Sequence, residues 1–205
     1  MSKAAIGRRE QNKQEKRARI VAAARALFRH KGFDATTTQE IADAAGVASG
    51  TVFTYAPTKD DLLILVFQDE MMGVVSTAYA RASEQDELLD RAIAYFETLV
   101  AYHERDVQLA RLLLRQLGYV SSGDQRELVS ELMTSLLGNL AKLIEAAKKR
   151  DGVAVSAPAF SAARSLFAIY YYHLGGMMNG YIDRAQFDRA LRTDLQTVFR
   201  GLIDT

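Results

Sequence analysis

Three observations predict an all-α chain of about nine helices, a three-helix head followed by a larger six-helix body. The 205 residues hold just 2 prolines and are 49% hydrophobic. Their apolar residues gather in long, unbroken Leu- and Ala-rich segments with helical spacing. Between Thr36 and Lys59 two short segments carry helix start and stop signals of their own. No repeat and no low-complexity segment interrupts the pattern.

Residues 1–14 are polar and basic without periodicity, and are expected to form a flexible arm. From Glu15 to Lys31, Ile20, Ala23, Ala24, Leu27 and Phe28 make one apolar stripe. This first helix supplies the core of the head, with Phe33 and Ile41 across from it. Thr37 is a candidate N-cap and Glu40, three residues on, completes a capping box, so a helix starts at Thr38. Ile41, Ala42 and Ala45 share one face, and Gly46 follows where a residue with positive φ is cheapest. A second short helix, Ala48 to Tyr55, turns Val52 inward and Ser49, Gly50, Thr51 and Thr54 outward. Pro57 stops it, because the residue before a proline is pushed out of α space. Two short helices joined by a Gly-containing turn form the helix-turn-helix unit, whose second helix lies in the DNA major groove. The pattern is not unique to that unit, since capped amphipathic pairs occur in many all-α proteins.

Thr58 caps the next helix, with Asp60 and Asp61 at its positive pole. It is expected to reach about Ser76 and to link head and body. Ser83 starts a helix that runs through Leu88, Leu89, Ile93, Phe96, Leu99 and Val100 to about His103, and a shorter one carries Leu109, Leu112, Leu113 and Leu117. Ser121 to Asp124 is the clearest break in the body. Leu128 to Ile144 then build a long amphipathic helix, ended by Lys148, Lys149 and Arg150 at its negative pole. Pro158 opens a helix to about Asn179 that is apolar nearly all round and must be covered on two sides. Asp183 caps the last helix, striped by Phe187, Leu191, Leu195, Val198, Phe199 and Leu202. The expected domains are the arm at 1–14, the helix-turn-helix domain at 15–58 and the body at 59–205.

Net charge is only +1, but its distribution is uneven. Residues 1–31 hold 10 Lys and Arg against Glu10 and Glu15, a balance of +8 that leaves −7 for the rest. A solvated basic tail would account for this in isolation. Beside a groove-reading helix it reads as attraction for phosphates, with the body held off DNA by its own negative charge.

The block from Ile20 to Leu63 resembles the N-terminal domain of the tetracycline-repressor (TetR) family. The resemblance is carried by A-A-x-x-L-F at Ala23–Phe28, K-G-F at Lys31–Phe33, T-T-x-x-E-I-A at Thr36–Ala42 and A-G-V at Ala45–Val47. G-T-V-F at Gly50–Phe53 and Y-x-P-T-K-D-D-L-L at Tyr55–Leu63 continue it. It implies a homodimeric, cytoplasmic DNA-binding regulator, a repressor released by a small ligand and acting on a palindromic operator. By position, Thr37, Tyr55 and Lys59 are implied as contacts to the DNA backbone, and Gln39, Ser49, Gly50, Thr51 and Thr54 as groove-facing residues. Phe53 departs from the pattern where many members carry a tyrosine, and Ala48 where a hydroxyl is common.

The same resemblance implies a small-molecule site among the body's helices. The chain offers Met71, Phe96, Tyr102, Met133, Phe167, Tyr170, Tyr171 and Met178 as wall candidates, suited to a lipophilic effector with a few polar groups. A Met and aromatic stripe at helical spacing is more often plain core.

Much else is excluded or unsupported. There is no cysteine, hence no disulfide and no thiolate metal site. His30, His103 and His173 stand isolated, so no metal and no cofactor is expected, and His103 reads as a core histidine. No Gly-rich phosphate loop, H-E-x-x-H or nucleophile elbow occurs, so an enzyme has no residue to rest on. No uncharged run of membrane-spanning length and no apolar leader appear. Two rivals share the head: a regulator with no effector, its body packed solid for a structural or protein-interaction role, and an activator.

Overall fold

The computed structural model describes residues 3–117, 123–151 and 157–202 of the chain. Among them are nine helices and no strand: α1 (Lys3–Lys31), α2 (Thr38–Ala45), α3 (Ser49–Tyr55), α4 (Lys59–Ser83), α5 (Leu88–Glu104), α6 (Val107–Leu117), α7 (Gly123–Asp151), α8 (Ala159–Met178) and α9 (Arg184–Leu202). The expected break at Ser121 and Ser122 lies outside the described residues. Gly123 and Asp124, placed in that break by the sequence reading, instead open α7.

Two helix boundaries differ from expectation for identifiable reasons. α1 starts at Lys3, not near Glu15. Residues 7–16 are all exposed, so no apolar stripe announces them. They are rich in Arg, Lys, Gln and Glu, good helix formers that extend an already nucleated helix one bond at a time. α4 runs on to Ser83, whose hydroxyl bonds back to the carbonyl of Tyr79 at 2.7 Å instead of capping a new helix. Buried Ala78 and Ala82 carry its inward stripe that far. α5 therefore begins at Leu88, with Glu87 in the N-cap position.

The chain divides into two compact units inside α4, between Glu70 and Met71, and not at the residue 58 boundary expected from Pro57 and Thr58. The first unit gathers α1 to α3, α4 through Glu70, and α7 through Leu128. Its core sets Ile20, Val21, Ala24 and Phe28 of α1 against Ile41, Ala42 and Ala45 of α2, Val52 of α3 and Leu62 to Phe67 of α4. Because eight successive residues of α4, Asp61 to Gln68, are buried there, the helix is built into this unit and does not merely leave it. α4 has the length and mean hydropathy, 1.3, of a membrane-crossing helix, and 56% of that window is packed inside the protein.

The second unit holds the rest of α4 and α7 with α5, α6, α8 and α9. Tyr95, Phe96, Leu99 and Val100 of α5 form its centre and are wholly buried. Leu166, Tyr170 and Leu174 of α8, Phe187, Leu191 and Leu195 of α9, and Leu132, Leu136, Leu140 and Leu143 of α7 supply the buried faces of the surrounding helices. Burying a side chain of this size stabilises the fold by about 1.5–3 kcal/mol. α8 buries one face only; Phe160, Tyr171 and Tyr172 on the other are exposed, Tyr172 by 78%.

Candidate functional site

The helix-turn-helix is assembled by local hydrogen bonding. The amide of Glu40 donates to Thr37 Oγ1 at 3.2 Å, and Glu40 Oε2 accepts from the Thr37 amide at 2.9 Å, so the capping box is complete. The ammonium of Lys31, followed by the Thr37 donors, holds the Glu40 carboxyl down at about 2. Gly46 ends α2 with φ 62° and ψ 42°, and the Val47 amide closes the turn on the carbonyl of Ala42 at 3.0 Å. An L side chain at that φ costs about 1–2 kcal/mol, which is why glycine stands there. Ala48 offers no side-chain cap to α3, and Ala56, before Pro57, is extended at φ −148° and ends it.

Val52 is wholly buried and fixes the rotation of α3. The opposite side presents Gly50 and Thr54 fully to solvent and Ser49 and Thr51 in part. Thr54 Oγ1 donates to the carbonyl of Gly50 at 3.1 Å, and Phe53 is 46% exposed beside it. A methyl group added at Gly50 would meet nothing within 4 Å. No contact among the described residues requires glycine there. Gln39, on α2, is exposed and bonds Asp43 at 2.9 Å.

The three residues implied as backbone contacts prove to be tied into the unit. Thr37 serves the capping box. Tyr55 donates its hydroxyl to the carbonyl of Lys13 at 3.1 Å, pinning the end of α3 to α1. Lys59 departs furthest from expectation. Its ammonium donates to the carbonyls of Phe33, Asp34 and Thr36 at 3.0, 3.2 and 3.1 Å and lies 4.5 Å from the Phe33 ring. An ammonium has three N–H donors, and here all three are engaged inside the unit. Tyr55 also places the basic stretch of α1 next to the recognition helix, with Arg8, Arg9, Lys13 and Lys16 exposed there. Further along α1, Arg17 bonds Gln68 and Asp69, Arg25 pairs with Asp69 and Glu70, and Arg29 pairs with Glu70. Those three arginines fasten α1 to α4 and were not separable by sequence from the cations that face solvent.

In the second unit the expected wall residues fall into two groups. Phe96, Phe167 and Tyr170 come together: Tyr170 stacks on Phe96 with ring centres 4.8 Å apart and planes 9° from parallel, and Phe167 lies 5.9 Å from Tyr170. Phe187 of α9 completes the cluster edge-on at 6.3 Å, a partner the sequence reading assigned only to a helix stripe. Met71, Tyr102 and Met178 are buried and Met133 is half-buried. Tyr171, 38% exposed, lies at the edge of the cluster, one residue past the face that carries Tyr170 inward and 5.9 Å from the Phe167 ring. His103 is buried edge-on to Tyr102, and burial pushes its pKa down to about 4, so it is neutral near pH 7.

A short, exposed helix with small polar side chains, seated on a Gly-capped partner and flanked by basic helix, defines the first unit as a helix-turn-helix DNA-binding domain of a transcription factor. Residues 20–66 match the family model described as bacterial regulatory proteins, tetR family. The chain thus carries, at residues 20–66, a segment that matches the DNA-binding domain of TetR-family regulators. It is 26% identical over 151 residues to the fatty acid metabolism regulator protein of Bacillus subtilis, covering 70% of this chain and 75% of that one. Its fold is similar to that of Thermus thermophilus FadR, a TetR-family transcriptional repressor solved in complex with lauroyl-CoA, with a TM-score of 0.73, 22% identity and coverage of 92% and 96%. It is similar also to Bacillus subtilis FadR in complex with stearoyl-CoA, with a TM-score of 0.64, 19% identity and coverage of 90% and 98%.

Proposed function

We propose that the chain is a homodimeric repressor of fatty-acid metabolism genes, acting in the cytoplasm and released from its operator by a long-chain acyl-CoA. The observation that carries this reading is the reach of the similarity to the fatty acid metabolism regulator protein: 151 aligned residues extend far beyond the head at 20–66 into the effector-binding part of the chain. The buried aromatic and Met side chains of the second unit, Phe96, Tyr170, Met71 and Met178 among them, offer the apolar surroundings an acyl chain requires. Gln39, Ser49, Gly50, Thr51 and Thr54 read the groove, and the exposed cations of α1 meet phosphate. Lys59 and Tyr55 position the recognition helix.

A second copy would cover the open face of α8. Phe160, Tyr171 and Tyr172 are exposed apolar side chains there, and a methyl group added at Gly175 meets nothing within 4 Å among the described residues, so a partner backbone can approach closely. α4 suits the role of transmitter. It buries Leu62 to Phe67 in the first unit and Met71, Val75 and Ala78 in the second, so an effector that shifts one half of this helix displaces residues packed in the DNA-binding unit.

The test begins with operator fragments selected by the purified protein from random duplex DNA. Their affinity is then followed by fluorescence anisotropy with lauroyl-CoA, stearoyl-CoA, acetyl-CoA or CoA alone. A loss of about 5–150-fold with the long-chain thioesters and none with acetyl-CoA is expected. Equal operator affinity under all four conditions would favour the effector-free regulator instead.

A further inference from the structure

Two tyrosines are buried at the centre of the second unit, and their hydroxyls differ. Tyr95, on α5, donates to the backbone carbonyl of Leu136 on α7 at 2.9 Å, an ordinary structural bond between helices. Tyr170, on α8, is 2% exposed, and its hydroxyl meets no hydrogen-bond partner among the described residues. Its ring is fully occupied in packing: stacked on Phe96, tilted against Phe167 and edge-on to Phe187. A phenylalanine would make all three contacts equally well and would spare the protein a desolvated hydroxyl, which is expensive to bury without a partner. Nothing in the packing calls for the oxygen.

An oxygen that the fold does not use points to a partner that arrives. Burial raises the Tyr170 pKa above that of an ordinary phenol; Tyr95 adds to the shift, Arg184 opposes it and Glu104 adds again. The group therefore keeps its proton at any working pH and acts as a donor, so what it receives is an acceptor. We propose that Tyr170 Oη donates to the carbonyl oxygen of the effector, the thioester carbonyl of a long-chain acyl-CoA, and thereby sets where the acyl chain meets the Phe96, Phe167 and Phe187 cluster. This rests on the acyl-CoA reading above, and gives it a polar anchor that selects a thioester over a plain alkyl chain.

The experiment is a cycle of two proteins and two probes, wild type and Tyr170→Phe against lauroyl-CoA and S-dodecyl-CoA, whose carbonyl is replaced by a methylene. Binding is read by calorimetry and unfolding by thermal melts. Wild type should prefer lauroyl-CoA by about tenfold, and Tyr170→Phe should bind both probes at the weaker level. The variant should melt at the wild-type temperature or above it, since no internal bond is lost. A preference that survives in Tyr170→Phe overturns the anchor and leaves the acyl-CoA reading intact. A melting temperature lowered by several degrees also overturns it, because the hydroxyl would then be bonded within the fold. Wild type that binds neither probe removes the acyl-CoA reading and the anchor with it.

Discussion

The two units solve the problem of their polar groups in opposite ways. In the first, the groups that shape the helix-turn-helix are satisfied close by: Thr37 with Glu40, and Thr58 with Asp61, whose carboxylate accepts from the Thr58 amide at 2.8 Å while its own amide donates to the Thr58 hydroxyl at 3.0 Å. In the second, Tyr95 and Tyr170 are carried into the interior, where Tyr95 finds its acceptor 41 residues away at Leu136 and the Tyr170 hydroxyl finds none among the described residues. A domain that reads DNA needs its surface donors fixed in place with little help from a large core. A domain that takes up a ligand can hold buried polar groups at low local stability, because binding recovers what folding leaves unmet.

The largest effect that would sharpen this contrast lies in the second unit. With its pKa lowered by burial from 6.5 to about 4, His103 is more readily protonated in the unfolded chain than in the folded one. Its contribution is thus fully present above pH 6.5, falls as pH drops through the window from 6.5 to 4, and is gone below it, a change of about 3 kcal/mol. Urea unfolding at pH 7, 5.5 and 4 should show that slope in wild type and a shallower one in His103→Gln. Equal slopes would mean that the imidazole is not kept neutral by burial.

A smaller loss is expected in the first unit. Lys59→Met removes an ammonium shared by three carbonyls and should destabilise the protein by about 2 kcal/mol, since hydrogen bonds to charged groups contribute about 1.5–3 kcal/mol. Denaturant midpoints measure it. A variant of unchanged stability with weaker operator binding would return Lys59 to the phosphate-contact role that the sequence suggested.

The smallest effect has the opposite sign. Gly50→Ala fills open space on a helix and should stabilise the protein by about 0.5–1 kcal/mol. On the proposed reading of α3 the same methyl group stands on the groove-facing side, so operator affinity measured in parallel should fall. A variant that is both more stable and binds as tightly would take Gly50 out of the interface.

What could be read in the chain follows the distance over which each residue finds its partner. The capping box at Thr37, the Gly46 stop, the break before Pro57 and the cap at Asp183, which exchanges bonds with Gln186 at 2.7 and 2.8 Å, join residues a few positions apart. Local backbone chemistry decides them, so the sequence by itself determined the helices, their class and the helix-turn-helix. Lys59 bonds residues 23 to 26 positions away, Tyr55 one 42 away, and Arg17, Arg25 and Arg29 reach α4 across 41 to 52. These are the side chains whose roles only the tertiary structure decided. The same holds for the start of α1, where exposed residues carry no pattern, and for Tyr170 against Tyr171. Adjacent tyrosines look alike in sequence, and the rotation of α8 against α5 and α9 sends one into the core and leaves the other outside. Periodicity gives a helix its apolar face, but which ring ends beneath a neighbour and which hydroxyl is left unanswered depends on contacts made after the helices pack.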